Sequence, residues 1–379
     1  MKFIIEKGEL SALTTLVHRA ASNKNTIPAL SGLLIEADQA KGLTMTATDM
    51  EIGIKTSTKE VEIIEEGRVL VNAHYFADFI KLLPDSTITV QLNPETAKLD
   101  ITYGRSTGHI NIYNDQEYPD LPLQEIKEKF SLPQKILKEG LKKTAFAAAS
   151  NHFRQVFTGV LFDILPGGVL KIIASDTHRL TYYTYMMPEK DLEPFNFVIP
   201  TRTVNEILRV VEDTDEPFHI SLSGNNVVFS KPDFILLSRL IEGQYPDYDQ
   251  VIPDSFKTEV KINAYQLATT LERAKTMPTD DKLKIQYVQM SFNQNEVTFK
   301  TYSEIMGEIV EIIENIEIEG ETDFKISFNT NYLLDIAKIY ASEGEKINIK
   351  FSGPLSPALV TNPEKDNYFY VIVPLRTAN

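Results

Sequence analysis

The chain has 379 residues, of which 42% are hydrophobic and 24% charged, a composition typical of globular proteins with sizeable cores. Its 38 basic and 53 acidic residues give a formal net charge of −15, which argues against a protein that coats nucleic acid by overall charge. It contains no cysteine, so disulfides, thiolate metal sites and a cysteine nucleophile are excluded. We expect a cytoplasmic protein without membrane spans, because no apolar run approaches the roughly 18 residues that cross a bilayer.

A short strand followed by a one-sided amphipathic helix recurs three times along the chain. The apolar spacing predicts such a unit at the start, a second from Phe130 and a third from Val260. A second strand-and-helix block recurs in step at 71–81, 199–209 and 328–338. The offsets are 128 residues (71 to 199) and 129 residues (199 to 328), about one third of the chain. Repeats of this length are far too long for a solenoid.

A basic residue occupies the same place in each copy of the second block: Lys81, Arg209 and Lys338. On amphipathic helices such residues either form an ordinary solvated face or, if the helices are gathered together, a basic lining. A lining of this kind contacts phosphates without reading base sequence. The repeat pattern alone leaves both alternatives open.

These periodicities predict an α+β fold made of three tandem copies of a domain with two helices and an antiparallel sheet. The related segments Tyr118-Pro119-Asp120 and Tyr245-Pro246-Asp247 end the first two copies. We therefore place the boundaries at 1–127 (copy 1), 128–253 (copy 2) and 254–379 (copy 3). No Gly/Ser-rich linker separates the copies, so we expect them to dock rigidly, edge to edge. Open strand edges at the ends would favour pairing between chains in a closed symmetric assembly.

Catalytic and metal-binding motifs are not found in the sequence. The six histidines lack metal-ligand spacing, and there is no phosphate loop, dinucleotide fingerprint or nucleophile elbow. We therefore expect no enzymatic activity, no metal and no cofactor. One alternative is a metal-dependent nuclease that uses Asp49, Glu51 and Asp176. We favour a turn role for Asp49, because Asp176 occupies the equivalent position 127 residues later.

Three motifs and the triplication together resemble the bacterial DNA sliding clamps, the beta subunits of the replicative polymerase. The motifs are Ser175-Asp176-Thr177-His178-Arg179-Leu180, the segment 245–253 and Val373-Pro374-Leu375-Arg376. The resemblance covers the whole chain. It implies a head-to-tail homodimeric ring whose helices surround duplex DNA, and a non-catalytic processivity factor. It also implies a pocket between copies 2 and 3 that binds short motifs of the Gln-Leu-x-Leu-Phe type from polymerase and clamp-loader subunits.

The resemblance carries over two sets of site residues. The implied peptide pocket comprises Phe157, Ser175, Thr177, His178, Arg179, Leu180, Pro246, Gln250, Val251, Ile372, Val373, Pro374, Leu375 and Arg376. The implied DNA contacts are Lys24, Asn151, Arg202 and Arg209, to which the recurring basic position adds Lys81 and Lys338. A salt bridge to Asp176 is the alternative role for His178 and Arg179. A scaffold for proteins alone, indifferent to DNA, is the alternative function.

Overall fold

The computed structural model describes residues 1–22, 27–123, 127–278, 285–344 and 346–376. Its helices fall into three pairs, in agreement with the predicted two per copy. They are α1 (Lys7–Val17), α2 (Ala73–Leu82), α3 (Gln134–Thr144), α4 (Thr201–Val210), α5 (Ala264–Ala274) and α6 (Thr330–Ser342). Within the described ranges, no helix is both long enough and apolar enough to cross a bilayer.

The chain divides into two compact units, which do not coincide with the sequence copies. Unit 1 combines Met1–Lys135 with Arg209–Leu240, and unit 2 combines Ile136–Leu208 with Ile241–Asn379. Copy 2 is therefore shared between the two units. The predicted boundary after Lys127 falls at the first residue of a strand, Lys127–Pro133.

Unit 1 contains a 13-stranded sheet in which every pairing is antiparallel. Its strands are β1 (Lys2–Glu6), β2 (Gly32–Asp38), β3 (Gly42–Thr48), β4 (Ile52–Thr58), β5 (Glu62–Glu65), β6 (Gly67–Asn72), β7 (Thr87–Asn93), β8 (Lys98–Tyr103), β9 (Ser106–Tyr113), β10 (Lys127–Pro133), β15 (Pro217–Ser223), β16 (Asn226–Lys231) and β17 (Phe234–Arg239). Their order is β10-β15-β16-β17-β4-β3-β2-β6-β9-β8-β7-β1-β5.

Unit 2 contains a nine-stranded and a four-stranded sheet, again with antiparallel pairings. Its strands are β11 (Gly159–Leu165), β12 (Val169–Ser175), β13 (Arg179–Met186), β14 (Phe195–Pro200), β18 (Thr258–Asn263), β19 (Tyr287–Asn293), β20 (Glu296–Ser303), β21 (Gly307–Glu314), β22 (Glu317–Gly320), β23 (Lys325–Asn329), β24 (Lys346–Phe351), β25 (Ala358–Asn362) and β26 (Lys365–Ile372). The orders are β14-β11-β12-β13-β26-β25-β24-β18-β22 and β21-β20-β19-β23.

Two strand pairings join consecutive copies, which confirms the expectation of edge-to-edge docking. In unit 1, β4 of copy 1 pairs with β17 of copy 2. In unit 2, β13 of copy 2 pairs with β26 of copy 3. Each junction is therefore a continuous backbone ladder.

Local sequence signals explain where the helices begin and which faces they bury. Asn72 precedes α2 and its side chain accepts a hydrogen bond from Tyr75 N at 2.9 Å. Asn329 precedes α6 and accepts from Asn331 N, also at 2.9 Å. Both asparagines satisfy backbone N–H groups that the first helical turn leaves without partners, so each is the N-cap of its helix. The apolar stripe of α1 is buried: Leu10, Leu13 and Val17.

Candidate peptide-binding site

A cavity of about 680 Å³ opens in unit 2. One wall is the turn between β12 and β13, and the opposite wall is the segment 245–255. The end of β26 and the loop before β25 complete it. Most of the predicted peptide-pocket residues lie in its lining: Phe157, Ser175, Thr177, Arg179, Leu180, Pro246, Gln250, Val251 and Val373.

The turn between β12 and β13 is fixed by its own side chains. Asp176 Oδ1 accepts hydrogen bonds from His178 N and Arg179 N, both at 3.0 Å. Ser175 Oγ donates to Arg179 O at 2.7 Å and accepts from Thr177 N at 3.1 Å. These bonds hold Thr177 at a φ of 75°, a left-handed conformation that few non-glycine residues adopt. The motif therefore builds a rigid wall.

The equivalent turn of copy 1 repeats these bonds. Asp49 Oδ1 accepts from Glu51 N at 3.1 Å and Ile52 N at 3.0 Å. Thr48 Oγ1 donates to Ile52 O at 2.8 Å and accepts from Met50 N at 3.0 Å, and Met50 has a φ of 77°. The predicted turn role of Asp49 is confirmed. Among the described residues, no group of three or more His, Cys, Asp or Glu is arranged to hold a metal ion.

Arg179 lines the cavity, but its guanidinium points into the protein. Its side chain is 9% exposed, and Nε donates to Asp176 Oδ2 at 3.0 Å. Nη1 donates to Asp335 Oδ2 at 2.6 Å, and Nη2 to Phe146 O at 2.6 Å. The guanidinium carbon also lies 4.2 Å from the centroid of the Tyr332 ring. The salt bridge to Asp176 is therefore present, and Arg179 ties the turn to helix α6.

The floor of the cavity is apolar and its edge is polar. Leu180 and Val371 belong to one buried cluster that also contains Tyr248. Phe157 packs edge-on against Tyr245, with ring centroids 5.7 Å apart. Exposed Gln250 lies at the rim, where its Nε2 donates to Asp247 Oδ2 at 2.9 Å. An apolar floor with a few polar groups at the rim suits an extended peptide with hydrophobic side chains.

The structure places the other predicted pocket residues elsewhere. His178 lines a neighbouring polar cavity of about 480 Å³ together with Asn151 and Tyr332. Ile372 is fully buried in β26, whereas Val371 and Val373 line the cavity. Leu375 N donates to Ser327 O at 2.7 Å. Pro374 and Arg376 follow β26 and are not among the lining residues.

The predicted pocket set lacked several residues of the lining, of which five belong to the motif at 245–253: Arg154, Tyr245, Asp247, Tyr248, Ile252, Pro253, Asp254, Ser255, Ser352, Ser356, Pro357 and Val371. Strand alternation was an available signal for Val371, because residues two apart on a strand share a face. Ser352, Ser356 and Pro357 carried no such signal, since they reach the cavity only through the pairing of β26 with β25.

The recurring basic residues occupy one helical position. Lys81, Arg209 and Lys338 are each the ninth residue of their helix, and all three are exposed. Lys338 Nζ lies 2.8 Å from Glu272 Oε1 of α5. Arg202 near the start of α4 and Asn151 in the loop after α3 are also exposed. Lys24 lies outside the described residues.

A triplicated α+β fold with antiparallel ladders between its copies and one large apolar cleft matches a known class of protein. Three domain families match consecutive parts of the chain: the N-terminal, central and C-terminal domains of the DNA polymerase III beta subunit, at residues 1–122, 131–247 and 249–376. The chain belongs to the DNA polymerase III beta subunit family.

Similar proteins match the chain from end to end. The beta sliding clamp of Halalkalibacterium halodurans is 31% identical over 386 residues, which cover 100% of both chains. That of Bacillus subtilis is 29% identical over 385 residues, again with 100% of both chains covered. A crystal structure of the DNA polymerase sliding clamp from Bacillus subtilis superimposes with a TM-score of 0.91 at 28% identity and full coverage of both chains.

Proposed function

We propose that this chain is a processivity factor: a sliding clamp that encircles duplex DNA and tethers the replicative polymerase. The observation that carries the proposal is the end-to-end family match of a chain that contains a peptide-sized cleft. A closed ring is held on DNA by linkage, so its contacts with phosphates can be weak while it stays bound. A tethered polymerase then meets the template at a high effective concentration.

The cleft of about 680 Å³ is the proposed docking site for short linear motifs of polymerase and clamp-loader subunits. Leu180, Val371 and Val373 would receive apolar side chains of the peptide, and the polar rim would orient its backbone. The predicted pocket residues outside the lining would act indirectly. Ile372 and Leu375, for example, hold the end of β26 in place.

The edges of the sheets support the proposed head-to-tail homodimer. β21 of copy 3 is equivalent to β4 and β13, the strands that pair with the next copy, and it is the last strand of its sheet. β9 of copy 1 is equivalent to their partners β17 and β26. In the described part of the chain, the first six residues of β9 pair on one side only, with β8. Pairing β9 of a second molecule with β21 would repeat the junction already seen twice within the chain. It would also remove both open edges.

The recurring basic helix positions support a DNA-facing role. Phosphate contacts by Lys81, Arg209, Lys338, Arg202 and Asn151 would be independent of base sequence, as sliding requires. We assign no catalytic role, metal or cofactor, because Asp49 and Asp176 accept backbone hydrogen bonds at the centre of their turns. Since duplex DNA and polymerase are the proposed partners, we place the protein in the cytoplasm with the chromosome.

The testing experiment measures retention on DNA after loading by a clamp loader. The protein should remain on nicked circular DNA during gel filtration and should be lost when the circle is linearised, because a ring slides off free ends. Equal retention on both forms would contradict the topological tether. Failure to associate with either form would favour the DNA-independent scaffold.

A further inference from the structure

A second cavity lies at the position in copy 1 that is equivalent to the candidate pocket. It has a volume of about 300 Å³ and lies within unit 1. Strand register establishes the equivalence. In unit 2, Leu180 of β13 lies opposite Ser175 on one side and Val371 on the other. In unit 1, Gly53 of β4 lies opposite Thr48 and Leu237 in the same way.

In the smaller cavity, the wall side chain Leu121 packs onto the backbone of β4. Where copy 2 has Leu180, copy 1 has Gly53, and a Cβ built at Gly53 would collide with Leu121 Cδ2. Leu121 therefore lies directly on the backbone of β4. It comes from the Tyr118-Pro119-Asp120 segment, the equivalent of the wall that borders the larger cavity.

The residue equivalent to Leu121 is Tyr248, which lines the larger cavity and is anchored through its hydroxyl. Its hydroxyl donates to Asp163 Oδ2 at 2.6 Å. Lys171 Nζ lies 4.9 Å from the centroid of the Tyr248 ring and 3.3 Å from Asp249 Oδ1. Together these contacts fix the wall segment 245–253 to strands β11 and β12.

Copy 1 lacks the chemistry for this anchor. By strand register, the equivalents of Asp163 and Lys171 are Glu36 and Thr44, which form a cross-strand pair in the same way. Leu121 has no hydroxyl to donate, and Thr44 has no ammonium group. The wall of copy 1 is consequently free to place its apolar side chain over Gly53.

We propose that Tyr248 is a positioning residue that keeps the candidate pocket open. Through its bond to Asp163, the larger of the two equivalent cavities is the one that accepts a partner peptide. The inference rests on the proposed function, because it assumes that the larger cavity binds peptide. Tyr248 belongs to the same buried cluster as Leu180 and Val371 of the floor. A wall that moved inward would therefore cover the residues that receive the apolar side chains of the peptide.

The anchor persists over the physiological pH range. Burial, followed by the hydrogen bond to Asp163, raises the pKa of Tyr248 well above its ordinary value, so the hydroxyl keeps its proton and continues to donate. A hydrogen bond to a charged acceptor is among the stronger contacts in proteins.

The test compares Tyr248→Phe with Tyr183→Phe. Tyr183 is a matched control, since it is also buried and donates to a carboxylate, Glu139 Oε2, at 3.1 Å. We expect Tyr248→Phe to weaken binding of a fluorescent Gln-Leu-x-Leu-Phe peptide roughly tenfold, as the loss of about 1.4 kcal/mol implies. Tyr183→Phe should lose similar stability in urea and retain the wild-type affinity. Asp163→Asn, which weakens the same bond from the other side, should give an intermediate loss.

Hydrogen exchange provides a readout that does not depend on peptide. Amides of the segment 245–253 should exchange faster in Tyr248→Phe than in wild type, while those of β18 and β24 should be unchanged. Normal peptide affinity in a folded Tyr248→Phe variant would overturn the inference and leave the proposed function intact. If wild type binds no peptide, the proposed function fails. Unchanged exchange of the segment in Tyr248→Phe would show that the Tyr248 hydroxyl does not anchor it. That result alone would overturn the inference.

Discussion

Arg179 Nη1 and Asp335 Oδ2 lie 2.6 Å apart, and this contact joins the turn after β12 to helix α6. The two residues are 156 positions apart in sequence and belong to copies 2 and 3. Arg179 also holds Asp176, the acid that organises the turn. One buried side chain thus connects the wall of the cleft, the turn and the helix of the next copy.

Replacing Arg179 with alanine should therefore destabilise unit 2 as well as weaken peptide binding. Removing it deprives Asp176 Oδ2 of the guanidinium that donates to it through Nε. The Asp176 side chain is only 10% exposed, and breaking such a buried pair costs about 3 kcal/mol. Urea denaturation measures the loss. Arg239→Ala is the control, because Arg239 is half exposed and its ion pair with Glu51 spans 3.4 Å. This variant should lose no more than about 0.5 kcal/mol of unfolding free energy. Equal losses in both variants would contradict the structural role.

Val373 offers a way to perturb the cleft with little effect on folding. It lines the cavity and is 38% exposed. Val373→Asp should weaken binding of the fluorescent peptide by more than about tenfold, because a carboxylate on the apolar floor must lose hydration when the peptide binds. Its thermal midpoint should stay close to that of wild type. Met186→Asp, which changes an exposed residue outside the cavity, should bind normally; weakening there would point to a general charge effect.

The β21 edge should be required for self-association. Val310 and Ile312 are 49% and 53% exposed on this strand. Substituting both with arginine would bury charge in the proposed β21–β9 ladder, so sedimentation should show the dimer Kd rising by more than about tenfold. Ile64→Arg is the control, because Ile64 lies on β5, an edge strand of the 13-stranded sheet, and outside the proposed interface. A double variant that remained a dimer at wild-type strength would exclude β21 from the interface.

His18 should make unit 1 less stable in mild acid. Burial is the main reason that the pKa of His18 lies below its ordinary value of 6.5, and nearby His74, with ring centroids 5.5 Å apart, acts in the same direction. A lowered folded-state pKa means that the unfolded chain binds the proton first, so the free energy of unfolding falls as pH drops through about 6.5.

Urea titrations at about pH 7.5 and 5.5 test the effect, since this interval spans the ordinary histidine pKa. His18→Gln carries no titrating group at this position. The decrease in unfolding free energy between the two pH values should be smaller in this variant than in wild type. Identical decreases would exclude His18 as a source of acid sensitivity.

Local interactions were readable in the sequence, because the groups concerned are neighbours along the chain. The asparagine caps at Asn72 and Asn329 each involve backbone two or three residues away. The turns at Asp49 and Asp176 likewise close through their own side chains. Strand and helix periodicity repeated three times, so the α+β class and the triplication also followed from the sequence.

Tertiary structure decided what depends on pairing between distant segments. The hydroxyl of Tyr248 reaches Asp163 across 85 residues, and only the register of β11 with β12 places Lys171 beside them. The inward orientation of Arg179 depends on Asp335, which α6 supplies. The repeated unit followed from sequence patterns, because the signals that define it are local. The difference between the larger and the smaller cavity required the tertiary structure, since it depends on how the wall residues Tyr248 and Leu121 pack near Leu180 and Gly53.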